Sequence, residues 1–292
     1  MTLPRRDTRV TYPGGALEAV TRVVHVAPVS DGLLAVFTES TSFHPVDAAW
    51  PDQPADVGVI RGAAGDVVVR DAVVAATDGE ALHLGSEIPV RTGTDGWVFL
   101  VAHLVDADAA IAEGDEVTIE ADAATRRALS TGHTACHLAS LALNRALASR
   151  WSKPTREDAL GSPDFDAAAI SSSRIVPNGS VDRYRLNKSL RRAGFDTASL
   201  TGDLDALQRE VAEQLDAWLA TGGAVRVDAA GDGLTDRRTW VCELPDGTAR
   251  IACGGTHLTS LAELSAIVPS FSLVDDGGTP VLEMTNEARL RH

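Results

Sequence analysis

Apolar residues in the first hundred positions recur in short alternating or continuous runs, at 19–29, 33–38, 66–74 and 97–103, separated by glycine, proline and aspartate. Runs of that length with that punctuation predict β-strands, and their density before residue 104 predicts a small β-barrel or sandwich, of which we take the barrel. Beyond residue 105 the period changes. One further strand around Val117 leads into residues 122–151, where Leu129, His133, Cys136, His137, Ser140, Leu141 and Asn144 recur at helical spacing. Residues 152–202 carry no period and read as irregular. A second helix is predicted at 204–219, where Leu204, Leu207, Val211, Leu215 and Trp218 form an apolar stripe suited to packing on a sheet. Strands near Val225, Trp240, Arg250, Val268 and Val281 follow. The pattern predicts an α+β protein: an N-terminal small β-barrel domain at 1–104, then a domain at 105–292 in which helices pack on an antiparallel sheet.

The candidate chemistry lies in the second part. His133 and His137 stand one helical turn apart on a common face, so both reach one ion without bending the backbone. Cys253 and His257 follow a strand-like run, and Gly254-Gly255 between them allows the sharp turn that brings the pair together. Nitrogen and thiolate donors in this mixture select Zn²⁺ over Mg²⁺ or Ca²⁺. Cys136 competes as a ligand but lies about 100° round the helix from His137. The preferred set is His133, His137, Cys253 and His257 around one Zn²⁺.

Composition narrows the class. Three cysteines in 292 residues, one assigned to metal, argue against a disulfide scaffold. Cys242 reads as a small buried side chain on a strand. The start lacks the apolar core of a secretion signal and no stretch approaches the ~20 apolar residues of a membrane span, so a cytoplasmic location is expected.

The sequence resembles the AlaX-type trans-editing proteins and the editing domain of alanyl-tRNA synthetase, with a more distant likeness to that of threonyl-tRNA synthetase. The matching text is Glu113-Gly-Asp-Glu-Val117, Arg126 or Arg127, His133-Thr-Ala-Cys-His-Leu138, and Cys253-Gly-Gly-Thr-His-Leu258 with Glu263 after it. Upstream, Thr41-Ser-Phe-His-Pro45 and Gln53-Pro-Ala-Asp-Val-Gly58 are similar to a looser family segment. The resemblance implies a zinc-dependent aminoacyl-tRNA deacylase that hydrolyses the ester at the acceptor end of a wrongly charged tRNA. It assigns residues 105–292 to a zinc-binding editing domain, Zn²⁺ to His133, His137, Cys253 and His257, and substrate contacts to Thr41 and Gln53. His44, close to Thr41, is a further catalytic or substrate-contact candidate. The chain departs from the family where three glycines usually precede the glutamine: it has Ala48-Ala-Trp-Pro-Asp52, whose Trp50 and Pro51 add bulk and fix dihedrals. A reshaped pocket leaves two substrates open, serine on alanine tRNA and a threonine analogue such as fluorothreonine on threonine tRNA.

The net charge of −15 runs against an RNA partner. Its distribution softens this, because Arg174, Arg183, Arg185, Lys188, Arg191 and Arg192 form a basic stretch around Tyr184 with Asp182 the only acid, a candidate tRNA-binding patch. His25 and His83 are expected to be structural, His103 is either the counterpart of a loosely aligned family histidine or a satisfied core histidine, Asp56 is expected to fix its loop, and His292 to be a mobile terminus. Two other functions stay open: a zinc-stapled tRNA-binding or regulatory protein without turnover, and a metal-dependent hydrolase of small esters or amides.

Overall fold

The computed structural model describes residues 3–29 and 32–291; His292 lies outside them. The protein is α+β, and its chain divides into two compact units: Met1–Arg127 with Val227–Arg238 and Gly254–Thr256, and Ala128–Arg226 with Thr239–Cys253 and His257–His292.

The first unit contains β1 (Arg9–Val10), β2 (Glu18–Pro28), β3 (Leu33–Thr38), β4 (Ser40–Thr41), β5 (Gly58–Gly62), β6 (Gly65–Val69), β7 (Asp71–Thr77), β8 (Leu82–Leu84), β9 (Val98–Asp106) and β10 (Glu116–Ala121). Eight of these form one antiparallel sheet in the order β6-β5-β10-β2-β3-β9-β7-β8, while β1 and β4 pair in parallel. Among the described residues no ladder joins β6 to β8, but the end of β6 meets β9, where the Arg70 N–H donates to the Leu104 carbonyl at 2.7 Å. The run predicted as one strand at 66–74 is two, because the polar pair Arg70-Asp71 turns the corner between β6 and β7. The two faces differ in kind. Val23, Val36, Ile60, Val101, Val117 and Ile119 share one core with Tyr12, Phe43 and Leu234. Ala35, Phe37, Ala75, Leu100 and Ala102 form a second buried cluster from the neighbouring positions of β3, β7 and β9. Burial on both faces is why these strands read as continuous apolar runs whereas β2 alternates. Gly58, at φ 156°, is required where the chain passes β10, since a Cβ there would overlap the Glu120 carbonyl and the Phe43 ring.

The second unit takes up most of α1 (Ala123–Ala146), then α2 (Phe165–Ala169), β11 (Ile170–Val176), β12 (Gly179–Arg185), α3 (Lys188–Ala193), α4 (Leu204–Leu219), β13 (Val225–Ala229), β14 (Arg238–Leu244), β15 (Gly247–Ala252), β16 (Leu264–Asp276) and β17 (Thr279–Leu290). An antiparallel sheet runs β11-β12-β17-β16, and a second runs β13-β14-β15. The stripe predicted on residues 204–219 is the buried face of α4, which packs on β16. The region read as irregular, 152–202, holds α2, β11, β12 and α3. Its strand β11 is an edge strand rich in serine, with six of its seven positions exposed or half-buried, so no hydrophobic period marked it.

Candidate metal centre

Helix α1 starts at Asp122, whose carboxylate accepts from the Thr125 N–H at 2.8 Å, an N-cap. In the second unit the helix passes the β11–β12 turn at Gly132, where a Cβ would overlap the Val176 and Gly179 carbonyls. The Asn178 N–H donates to the Ala128 carbonyl at 2.8 Å and closes the contact. Backbone-to-backbone packing at that point fixes the rotation of the helix one residue before His133, and hence where His133 and His137 face.

Cys253, at the end of β15, and His257, past the glycine turn, meet them. One ligand atom from each of His133, His137, Cys253 and His257 lies within 4.8 Å of the others, a group that can hold a metal ion. The Cys253 Sγ is 3.4 Å from His133 Nε2 and 3.3 Å from His257 Nε2. Zinc bonds of ~2.0–2.1 Å to nitrogen and ~2.3 Å to sulfur put tetrahedral neighbours roughly 3.3–3.6 Å apart, so these edges fit. The His137 Nε2 is buried with no hydrogen-bond partner, and an orphaned imidazole nitrogen beside a thiol and two more imidazoles is a donor without an acceptor. Burial holds the His137 pKa down at about 4, which keeps the ring in the neutral form that a metal requires. Cys136 is not in the group. Its Sγ lies 3.5 Å from the Asp182 carboxylate on β12, and burial and that carboxylate push its thiol well up.

Two supporting residues escaped the sequence reading. Thr134 Oγ1 lies 3.3 Å from His257 Nδ1 and accepts from the Leu258 N–H at 3.1 Å, which orients the His257 ring with Nε2 toward Cys253. Trp240 on β14 is fully buried, with its ring 4.9 Å from that of His137 and 5.9 Å from that of His257. An aromatic residue on a buried strand carries no signal that separates a floor beneath a metal group from ordinary core.

Thr41, His44 and Gln53 lie in the first unit. The Thr41 hydroxyl is fully buried, 2.9 Å from His103 Nε2, and accepts from the Phe43 N–H at 3.0 Å. His103 Nδ1 faces the Val36 carbonyl at 3.0 Å, so Nδ1 carries the proton and Nε2 accepts from Thr41. Both polar ends of His103 are satisfied, as expected of a structural histidine, and burial lowers its pKa to about 4. The loop after β4 is pinned by Asp56, whose carboxylate accepts from the His44 N–H at 2.5 Å and pairs with the buried Arg126 guanidinium through Nε at 2.8 Å and Nη2. Arg126 also donates to the Ser42 and Ala16 carbonyls. His44 is 7% exposed, with its Nδ1 buried and unpartnered. Burial first, opposed by Asp56, sets its pKa at about 4. Gln53 is bound in both directions: its Nε2 donates to Thr256 Oγ1 at 3.0 Å and its Oε1 accepts from the Thr256 N–H at 3.0 Å. Trp50 is 47% exposed.

The basic stretch lies on β11, β12 and α3 of the second unit. Arg183 pairs with Glu283 at 3.5 Å and Arg185 with Asp276 at 3.3 Å, acids that are distant in sequence and were invisible to the local count. Arg191 donates to the Leu186 carbonyl, while Arg174, Lys188 and Arg192 are exposed. His25 is structural, 2.8 Å from Glu113. Cys242 is buried on β14. No helix among the described residues is long and apolar enough to cross a membrane.

No family model matches the sequence. The chain is similar to the alanine–tRNA ligase of Ruegeria pomeroyi, 28% identical over 267 residues, which cover 88% of this chain and 26% of that protein. The chain spans about a quarter of that protein's length.

Proposed function

We propose that the protein is an aminoacyl-tRNA deacylase of the alanyl-tRNA synthetase editing type, acting in trans on a wrongly charged tRNA, with Zn²⁺ held by His133, His137, Cys253 and His257. The observation that carries this reading is the convergence of three imidazoles and a thiol with one nitrogen left unpartnered. The similarity to alanine–tRNA ligase supports tRNA as the partner.

In the reaction, water adds to the ester carbonyl carbon, the bond to the ribose oxygen breaks, and the products are the free amino acid and a tRNA with its terminal hydroxyl restored. Zn²⁺, held by four protein ligands, would supply a fixed positive charge that helps to position the substrate rather than an open coordination position. The protein side chains position the substrate. His44, neutral at pH 7 with an unpartnered Nδ1, is the first unit's candidate acceptor for an amino or hydroxyl group. Thr41 and Gln53 act one step back, Thr41 by fixing His103 and the Phe43 backbone, Gln53 by holding Thr256. Serine on alanine tRNA is the first substrate to test, because a polar group that reads a hydroxyl rejects an analogue lacking it by about 10⁴-fold or more. Fluorothreonine on threonine tRNA is the second, since Trp50 stands where the family has glycine.

The test is hydrolysis of a panel of labelled aminoacyl-tRNAs and of free aminoacyl esters by the wild type, His137→Ala and Cys253→Ala. At least one charged tRNA should be cleaved by the wild type alone, and free esters far more slowly. If every charged tRNA survives while still being bound, the protein is a binding module without turnover. If free esters are cleaved equally fast, it is a general hydrolase.

A further inference from the structure

A second feature, in the first unit, is cationic. Residues Arg5, Arg6 and Arg9 line a cavity of about 570 Å³ with Asp7, Thr38 and Glu39. The backbone that carries them is fastened down: the Arg9 N–H donates to the Glu39 carbonyl at 3.0 Å, the Thr8 N–H to the Phe99 carbonyl at 3.0 Å, and the Leu234 N–H to the Thr8 carbonyl at 2.9 Å. Asp7 is part of the fastening. One of its carboxylate oxygens accepts from the Phe99 N–H at 2.8 Å and the other from Thr235 Oγ1 at 2.7 Å.

The three arginine side chains are exposed, and none of them forms an ion pair among the described residues. The chain has 41 acidic and 26 basic side chains, and other exposed arginines sit against acids, Arg22 with Glu116, Arg70 with Asp106 and Arg226 with Glu243 among them. In so acidic a protein, three guanidiniums within five residues that share one cavity and decline local partners leave a concentrated positive potential, with Glu39 the one carboxylate at the cavity not already hydrogen-bonded to backbone or hydroxyl groups. Guanidinium forks match phosphate oxygens two at a time, and the volume lies within the ~300–1,000 Å³ of ligand clefts. In a protein of net charge −15 a nucleic-acid backbone is attracted only where cations locally outnumber acids, as they do here. The stretch 174–192, by contrast, gives up Arg183 and Arg185 to Glu283 and Asp276.

We propose that Arg5, Arg6 and Arg9 form a docking site for the sugar–phosphate backbone of RNA. With the function above, this site holds the tRNA; the inference rests on that reading for its partner and on the unpaired arginines for its place.

The experiment is binding of labelled, uncharged tRNA by anisotropy across a salt series, with the wild type, the triple variant Arg5→Gln/Arg6→Gln/Arg9→Gln, and Arg174→Gln/Lys188→Gln/Arg192→Gln as comparator. Circular dichroism checks that each variant is folded, as expected for exposed side chains. The first triple variant should bind at least 10-fold more weakly at low salt and flatten the slope of log affinity against log salt by about 2–3, the loss of three phosphate contacts, with a smaller change in the comparator. A first triple variant with unchanged affinity and slope overturns the inference and leaves the deacylase reading standing. A wild type that binds no tRNA at any salt overturns both. Inorganic phosphate is the remaining arm: displacing tRNA no better than chloride at equal ionic strength supports backbone docking, and displacing it far better marks a free-phosphate site and overturns the proposal.

Discussion

Two groups of polar side chains, one buried in the first unit and one half-buried in the second, invite comparison. Around Thr41 in the first unit, His103 uses Nδ1 on the Val36 carbonyl and Nε2 on the Thr41 hydroxyl, and Asp56 is closed by Arg126 and the His44 N–H. Around Cys253 in the second, three imidazole rings lie with centroids 4.4–5.1 Å apart, a thiol sits among them, and His137 Nε2 has no partner. The first group is largely complete as protein, with His44 Nδ1 its loose end. The second makes physical sense around a cation, since buried polar atoms left unpaired are costly and this set shares one donor chemistry. The histidines of the two groups therefore do different work, and their hydrogen-bond accounts tell them apart.

The largest effect should divide the groups cleanly. Adding Zn²⁺ to chelator-stripped protein should raise unfolding stability by about 4 kcal/mol at a free-metal excess of a thousandfold over Kd. His137→Ala should abolish that increment in denaturant titrations, while Thr41→Val should retain it; an increment that survives His137→Ala would place the ion elsewhere. Next in size is the buried ion pair. Asp56→Ala leaves the Arg126 guanidinium buried without its partner and should cost about 3–5 kcal/mol, with metal content unaffected in whatever fraction folds. A loss under 1 kcal/mol in urea titrations would show that the pair is not sealed.

Acid should act on the first group with a defined sign. His103 and His44 titrate near 4 in the folded protein, against 6.5 for an ordinary histidine. The unfolded chain therefore takes up their protons first as pH falls. The stabilising contribution is fully present above about 6.5 and drains away toward 4, on the order of 3 kcal/mol per histidine. Melting temperature measured from pH 7 to 4 should fall, and His103→Gln should flatten the fall; an unchanged pH profile in that variant contradicts the buried neutral imidazole. Smallest is Thr41→Val, which unpairs His103 Nε2 and the Phe43 N–H and should cost about 1–3 kcal/mol.

The legibility of the molecule in its sequence followed the range of the interactions. Helix α4 and the spacing of His133 and His137 on α1 are local, set by a 3.6-residue period, and both were read correctly. The Cys253–His257 turn was readable for the same reason, two donors and two glycines in five residues. Strand β11 was not, because its serines present no apolar face at an edge. The pairing of Arg183 with Glu283 joins residues a hundred positions apart and the hold of Gln53 on Thr256 residues 203 apart, and no local count anticipates either. Nor does sequence tell that Val227–Arg238 belongs with the first unit. The hydroxyl of Thr41, assigned by resemblance to a substrate, is engaged by His103, whose own position depends on the register of β3 with β9.

Zinc K-edge X-ray absorption of metal-loaded protein tests the central claim most directly. The account predicts one sulfur at ~2.3 Å and three nitrogens at ~2.0–2.1 Å, with the sulfur shell gone in Cys253→Ala. A shell of oxygens alone, or a sulfur signal that persists in Cys253→Ala, would contradict it.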